Sequence, residues 1–172
     1  MMRKTEALKI VKEYPDLKNN IEVLNLVLLD LQKWLLRHMA IYKRPTTTRS
    51  FFTKIMNDLF ARRIRGDPTG ESDILESGIT QKIPDRLVPE YAKRYNAALE
   101  DGTSPTNIVE DIIKPIFNKH RLPYPSYNKI ENDLKCLKDW GIFSNYRSGP
   151  KIYWIINPKF FLMFKKDLHR LK

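Results

Sequence analysis

The part of the sequence that decides the fold is NDLKCLKDWGIFSNYRSGPKIYWIINP, residues 132–158. An amphipathic run ends at Gly141, and two short apolar and aromatic runs follow on either side of the basic turn RSGPK. A glycine just past a helix is a common terminator because it adopts left-handed backbone angles without strain. The order predicts a helix over about 127–140 and then a β-hairpin, with strands at about 142–147 and 151–156.

The helix of this unit has one apolar and one polar face. At 100° per residue, three apolar residues fall within about 60° of one another and are predicted to face the core: Ile130, Leu134 and Leu137. The opposite face consists of Asn128, Asn132, Lys135 and Asp139. In the hairpin, the alternation of Ile152, Trp154 and Ile156 predicts that these three side chains also point toward the core.

The charge of the chain is unevenly distributed. Of a net +11, residues 1–65 contribute 14 basic and 6 acidic residues (+8), residues 66–104 contribute 4 and 8 (−4), and residues 105–172 contribute 13 and 6 (+7). Basic blocks of this kind favour a polyanionic partner, more often nucleic acid than an anionic membrane. Charge that serves solubility alone explains the same numbers equally well.

Several functional classes are disfavoured by composition. The single cysteine, Cys136, excludes an internal disulfide and a multi-thiolate zinc site and fits a reducing compartment. The three histidines are scattered, and neither a phosphate-cradling glycine loop nor a nucleophile motif is present. The richest apolar window, residues 23–36, is too short and too polar to span a bilayer. We therefore predict an intracellular, non-enzymatic protein with no catalytic residues, cofactor, metal or membrane.

The N-terminal half is predicted to be helical. A long helix over about 16–42 places leucine or isoleucine at spacings of 4, 3, 4, 3 and 4 through Leu17, Ile21, Leu24, Leu28, Leu31 and Leu35. This pattern fits either a helix buried in its own domain or a coiled-coil homodimer. The apolar C-terminal helix, 158–172, is a second candidate for a dimer contact.

The predicted organisation has three parts. Residues 1–65 form a helical core or oligomerisation region, in which 31–63 is a possible second helix-turn-helix whose Thr46–Thr48 and Arg49 suit phosphate contact. Residues 66–87 form an acidic hinge or a weak hairpin. Residues 88–172 form a DNA-binding domain with a C-terminal helix, and within it Pro115 is predicted to kink or split a helix after Ile113.

Residues 88–158 resemble the winged-helix superfamily, in which a helix-turn-helix is followed by a hairpin called the wing. The resemblance depends on the segment PSYNKIENDLKCLKDWGIF. At the end of its helix this segment has a leucine (Leu137), three further residues, a glycine (Gly141) and then two apolar residues, which is the pattern typical of the superfamily. The tail GPKIYWIINP is similar to the second wing strand of plasmid and phage replication initiators, which commonly runs into Asn-Pro. The resemblance implies a mainly α fold with a C-terminal winged helix.

The function implied by the resemblance is sequence-specific binding of double-stranded DNA, in DNA replication or in transcription regulation. Helix 127–140 is expected to read the major groove, and the wing at 147–151 to meet the backbone or minor groove. The predicted contacts are Ser126, Tyr127, Asn128, Lys129, Asn132, Lys135, Tyr146, Arg147 and Lys151. The alternative is a non-enzymatic adaptor whose winged helix binds a protein, because exposed helix faces and hairpin tips are polar in any case.

Overall fold

The computed structural model describes residues 24–25, 28–65 and 83–164. The described chain is mainly helical and ends in a two-stranded antiparallel sheet and a short helix, which confirms the predicted fold class. Its elements are α1 (Asp30–Tyr42), α2 (Thr48–Arg65), a 3₁₀ turn (Asp85–Leu87), α3 (Val88–Glu100), α4 (Pro105–Ile108), a π-helical turn (Val109–Ile113), α5 (Lys114–Lys119), α6 (Tyr127–Asp139), β1 (Phe143–Ser148), β2 (Lys151–Ile156) and α7 (Pro158–Phe164). The acidic stretch 66–82, most of the predicted hinge, lies outside the described residues, as does the end of the predicted helix 158–172.

The chain divides into two compact units that are not both continuous in sequence. Among the described residues, one unit consists of those up to Thr48 together with those from Asn128 onward, and the other consists of those from Arg49 to Tyr127. We call them the wing unit and the helical unit. The boundaries of these units differ from the domain boundaries that were predicted after residues 65 and 87. The reason is that the hairpin belongs to the same unit as α1 and not to the unit that contains α3 to α5.

The predicted helix over 16–42 is interrupted before α1. Leu29 has extended backbone angles (φ −73°, ψ 158°), and α1 begins at Asp30. The side chain of Gln32 turns back so that its Oε1 accepts a hydrogen bond from the Leu29 N–H at 2.9 Å, which satisfies a donor at the helix start. The prediction of one continuous helix is therefore wrong at this point. Leu28, Leu31 and Leu35 of the apolar seam are all buried within the single chain.

Pro115 lies in a helix whose backbone changes type just before it. The α-helical backbone gives way to the π-helical turn Val109–Ile113, and α5 starts again at Lys114. A proline inside a helix has no N–H to donate and its ring crowds the preceding turn, so a widened turn relieves both problems. Ile113 and Lys114 both keep right-handed helical backbone angles, so the helix is not split after Ile113, and the π-helical turn is the disturbance that precedes Pro115.

The helical unit has an aromatic core. The Phe60 ring lies 6.2 Å from that of Phe117 and 5.2 Å from that of Tyr95, so α2, α5 and α3 contribute one ring each. Phe117 and Phe60 are completely buried, whereas Tyr95 is half-buried and donates its hydroxyl to Asn57 Oδ1 at 3.3 Å. Centroid separations of this size are typical of favourable aromatic pairs.

The end of α6 follows the prediction from Gly141. Gly141 has φ 74°. Its N–H donates to the Lys138 carbonyl at 2.8 Å, and the Ile142 N–H donates to the Leu137 carbonyl at 3.0 Å. Together these two bonds form a Schellman motif, and Ile142 and Leu137, which occupy the positions of its usual apolar pair, are both buried. The motif turns the chain from the helix directly into β1.

The hairpin has a two-residue turn at Gly149 and Pro150, and Ser148 pairs with Lys151. Gly149 has φ 63°, and proline fixes a negative φ at the next position. Positive then negative φ is the pattern of a type II′ turn, whose twist matches that of the two strands. The basic bend between β1 and β2 is therefore held in a single hairpin register.

Trp154 fastens the hairpin to the segment that follows α1. Its backbone N–H donates to the Thr46 carbonyl at 2.8 Å and its carbonyl accepts from the Thr46 N–H at 3.0 Å, so Thr46 adds a one-residue third strand beside β2. The Trp154 indole is 2% exposed, and its Nε1–H donates to Thr48 Oγ at 3.2 Å. These contacts join parts of the wing unit that are about a hundred residues apart in sequence.

Candidate nucleic-acid interface

All nine side chains predicted to contact DNA are exposed. They are Ser126, Tyr127, Asn128, Lys129, Asn132, Lys135, Tyr146, Arg147 and Lys151. By their contacts, Ser126 and Tyr127 belong to the helical unit and the remaining seven belong to the wing unit. The wing unit alone thus presents both the polar helix face and the hairpin tip.

The two faces of α6 differ as the helical spacing requires. Ile130 and Leu134 are completely buried and Leu137 is 1% exposed. On the other side Asn128 and Asn132, one turn apart, are both exposed. Side chains four residues apart on a helix lie one above the other, so the two amides form a short row along the free face. An amide row of this kind can donate to and accept from the edges of adjacent bases.

A buried carboxylate, which the sequence analysis did not single out, anchors α6. Asp133 is 4% exposed, and its Oδ1 accepts from Gln32 Nε2 of α1 at 3.3 Å. The Lys129 ammonium lies 3.3 Å from both carboxylate oxygens. The spacing of Lys129 and Asp133, four residues apart, was the available signal. Lys129 is therefore held by Asp133, and this carboxylate partly neutralises the charge of the exposed lysine.

The hairpin tip combines cations with large apolar groups. Tyr146 is 45% exposed and pairs across the strands with Tyr153, with the two rings stacked 5.6 Å apart. Arg147 and Lys151 flank the turn and are exposed. A cross-strand aromatic pair stiffens a hairpin, so the two cations extend from an ordered support.

The predicted alternation in β2 is only partly correct. Trp154 is buried, but Ile156 is half-buried and Ile152 is 41% exposed. Ile152 lies on the same face of the hairpin as Trp154, two residues nearer the turn, where it pairs with Arg147. The cover over this face of the strand is nearly complete at Trp154 but incomplete at Ile152, so the inward-facing position next to the tip is partly open to solvent. The prediction that Ile152 is a core residue is wrong for this reason.

The threonines that were expected to suit phosphate contact have structural roles. Thr46 and Thr48 are 5% and 6% exposed. The Thr46 hydroxyl donates to the Arg44 carbonyl at 2.8 Å, and the Thr48 hydroxyl accepts from Trp154. The Thr48 hydroxyl helps to hold the hairpin and the Thr46 hydroxyl bonds to the local backbone, so neither supports phosphate contact by a second helix-turn-helix at 31–63.

Cys136 is half-buried on the flank of α6, and its environment disfavours the thiolate. Burial raises the pKa of the Cys136 thiol, and the negative charge of Asp133 raises it further. The thiolate is the reactive form in alkylation. We therefore expect iodoacetamide at mildly alkaline pH to modify the native chain more slowly than the same chain unfolded in urea.

The rate of thiol loss, followed by mass spectrometry, checks this expectation for Cys136. A simple thiol compound in the same urea concentration corrects for the effect of the solvent on the reagent. An equal or faster rate in the native chain would contradict the environment described. Since the folded pKa is the higher one, ionisation of this thiol also makes the native chain less stable as the pH rises above the pKa of the unfolded thiol.

Comparison of the chain with protein-family models, with curated proteins and with solved structures found no match. Among the residues that the structure describes, none lies in a helix long and apolar enough to cross a membrane.

Proposed function

We propose that this protein binds double-stranded DNA sequence-specifically, as a replication-initiator-like factor or a transcription regulator. In this proposal the free face of α6 enters the major groove and the hairpin tip meets the backbone or the adjacent minor groove. DNA of the cell is the partner, which implies an intracellular location. The observation that carries the proposal is the exposure, within the wing unit, of an asparagine row on α6 together with a basic hairpin tip.

The chemistry of α6 supports base reading over simple charge attraction. Asparagine is the side chain that bridges N6 and N7 of adenine, and an α-helix fits the width of the major groove. Lys135, exposed on the same face, can reach guanine or a phosphate. Lys129 is the weakest of the predicted contacts, because moving its ammonium to a phosphate would leave the buried Asp133 carboxylate without that cation.

The electrostatics of the wing unit also fit a duplex. Residues 128–161 carry six basic residues (Lys129, Lys135, Lys138, Arg147, Lys151, Lys159) and three acidic ones (Glu131, Asp133, Asp139), a net of +3. Within α6 the three basic and three acidic residues balance, so the net +3 lies on Arg147 and Lys151 of the hairpin and on Lys159 of α7. Phosphate contacts from such residues give affinity, and base contacts give the preference for a site.

The adaptor remains the second candidate, and one observation favours it. Tyr146 and Ile152 together expose an aromatic and an aliphatic side chain at the hairpin tip, a composition that protein interfaces also use. The two functions differ in their dependence on salt. A protein-binding module without a nucleic-acid site retains no DNA at any ionic strength, whereas phosphate contacts release counterions and weaken steeply as salt is added.

The experiment is to measure binding of the full chain to fluorescent, mixed-sequence duplex DNA by anisotropy over a series of salt concentrations. We expect the logarithm of the association constant to fall linearly with the logarithm of salt concentration. Replacing Lys135 and Arg147 together (Lys135→Gln with Arg147→Gln) should flatten that slope by about two units, since each lost phosphate contact contributes about one.

Lys93→Gln with Arg94→Gln is the matched control, because both are exposed cations of α3 in the helical unit. It should leave the slope unchanged. Absence of binding at the lowest salt concentration would overturn the proposal in favour of the adaptor. An equal loss in the control would show that net charge, and not this surface, is responsible.

A further inference from the structure

We propose that the hairpin tip bends the bound DNA, with Ile152 acting as an apolar wedge between base pairs in the minor groove. This inference rests on the proposed function and names the way in which the wing meets the duplex. Its central observation is that Ile152, the residue of β2 two positions closer to the tip than the buried Trp154, is 41% exposed.

Both faces of the tip carry a cation together with a large apolar side chain. On the face shared with Trp154, Ile152 pairs directly with Arg147. On the opposite face, Tyr146 pairs with Tyr153, and Lys151 lies two residues before Tyr153 on the same strand. A hairpin tip that contacted only phosphates would need the cations but not the apolar side chains. A tip that enters a groove can use both, because the groove is lined with phosphates and an apolar side chain can insert between stacked base pairs.

A β-hairpin is too wide to enter the minor groove of undistorted B-DNA. Two paired strands lie about 4.8 Å apart before their side chains are added, and the minor groove of B-DNA is only about 6 Å wide. The tip can therefore enter the minor groove only if the groove opens. Proteins that open this groove commonly insert a side chain such as isoleucine between base pairs, which unstacks one step and kinks the duplex away from the protein.

The position of Ile152 suits this role. The residue is β-branched and therefore stiff at χ1, and it is held in a strand by the pairing of Arg147 with Ile152 and of Tyr146 with Tyr153. The II′ turn at Gly149 keeps the tip narrow. The guanidinium of Arg147, opposite Ile152, is placed to meet the phosphates or the floor of the opened groove.

The proposal is tested by measuring the bend. The probe is a duplex of about 30 base pairs, taken from the genomic fragment best retained by the protein and labelled with a dye at each end. Saturating protein should shorten the distance between the dyes, measured by energy transfer, by an amount that corresponds to a bend of at least about 20°. Ile152→Ala should remove at least half of this change while the DNA remains bound.

Leu99→Ala is the matched control, because Leu99 is also a large exposed aliphatic side chain, 51% exposed, but lies on α3 of the helical unit. It should leave the bend unchanged. Circular dichroism of both variants verifies that they are folded, which is expected since neither side chain is buried. A second readout is the fluorescence of 2-aminopurine placed at successive steps, which should rise at one step with the native chain and not with Ile152→Ala.

The possible outcomes separate the two proposals. Binding of a straight duplex by the native chain, or an equal bend with Ile152→Ala, overturns the wedge and leaves DNA binding in place. Absence of any binding overturns DNA binding and the wedge with it. A bend that Ile152→Ala abolishes, at a step where 2-aminopurine reports unstacking, establishes the wedge.

Discussion

Replacing Trp154 with alanine is expected to lower the free energy of unfolding by about 3–5 kcal/mol, the range for removal of a buried tryptophan. The indole is 2% exposed and is hydrogen-bonded to Thr48, so the variant loses packing and leaves the buried Thr48 hydroxyl without this donor. The backbone pairing with Thr46 is expected to weaken as well, because the side chain that holds the two segments together is gone. Urea unfolding followed by circular dichroism measures the loss as a shift of the midpoint.

Two further variants separate the contributions at this position. Trp154→Phe keeps a ring but removes the N–H, and we expect a smaller loss, about 1–2 kcal/mol. Ile152→Ala, on the same strand and the same face but exposed, should cost no more than about 0.5 kcal/mol. If Trp154→Ala shifts the midpoint no further than Ile152→Ala does, Trp154 does not fasten the hairpin in the way described here.

Replacing the asparagine row is expected to abolish the choice of site without abolishing DNA binding. A bidentate contact between asparagine and adenine contributes about 1–3 kcal/mol of discrimination, so Asn128→Ala with Asn132→Ala should lower the preference for the selected site by roughly 10-fold or more. Affinity for mixed-sequence DNA should change by no more than about twofold, because phosphate contacts supply that binding. Both side chains are exposed, so the fold is expected to persist.

The preferred site is obtained by selecting bound fragments from the source genome, and competition binding then gives the ratio of the two affinities. Asn96→Ala with Asn107→Ala is the matched control, since both are exposed helix asparagines of the helical unit. The control should retain the full preference. An equal loss of affinity for every sequence in the Asn128 and Asn132 variant would show that α6 does not read bases.

The elements near the end of the chain could be predicted because their signals are local. Gly141 predicts the end of α6, and Pro115 predicts a disturbance of its helix. In the structure Gly141 has positive φ and a π-helical turn precedes α5. Each feature depends on backbone angles or hydrogen bonds within a few residues, so a short window of sequence contains its cause.

The candidate site was predictable for a similar reason, but its supports were not. Helical spacing alone separates Asn128 and Asn132 from the leucines of α6. Helical spacing does not show that Asp133 is buried, because Gln32, which donates a hydrogen bond to this carboxylate, lies 101 residues earlier in the sequence. A polar residue on the boundary of an apolar face can be exposed or buried, and only its distant partner decides which.

The sequence by itself determined the order of helix, strand and strand over α6, β1 and β2, the buried and free faces of α6, and the basic character of the hairpin tip. Only the tertiary structure decided that the hairpin is joined to the segment after α1 through Thr46 and Trp154, and that Ile152 lies beyond the core. The physical reason is that helix ends and amphipathic faces follow from short-range backbone geometry. Burial instead depends on which segment, distant in sequence, packs against a residue. In a strand it also depends on how many residues of the strand that segment covers.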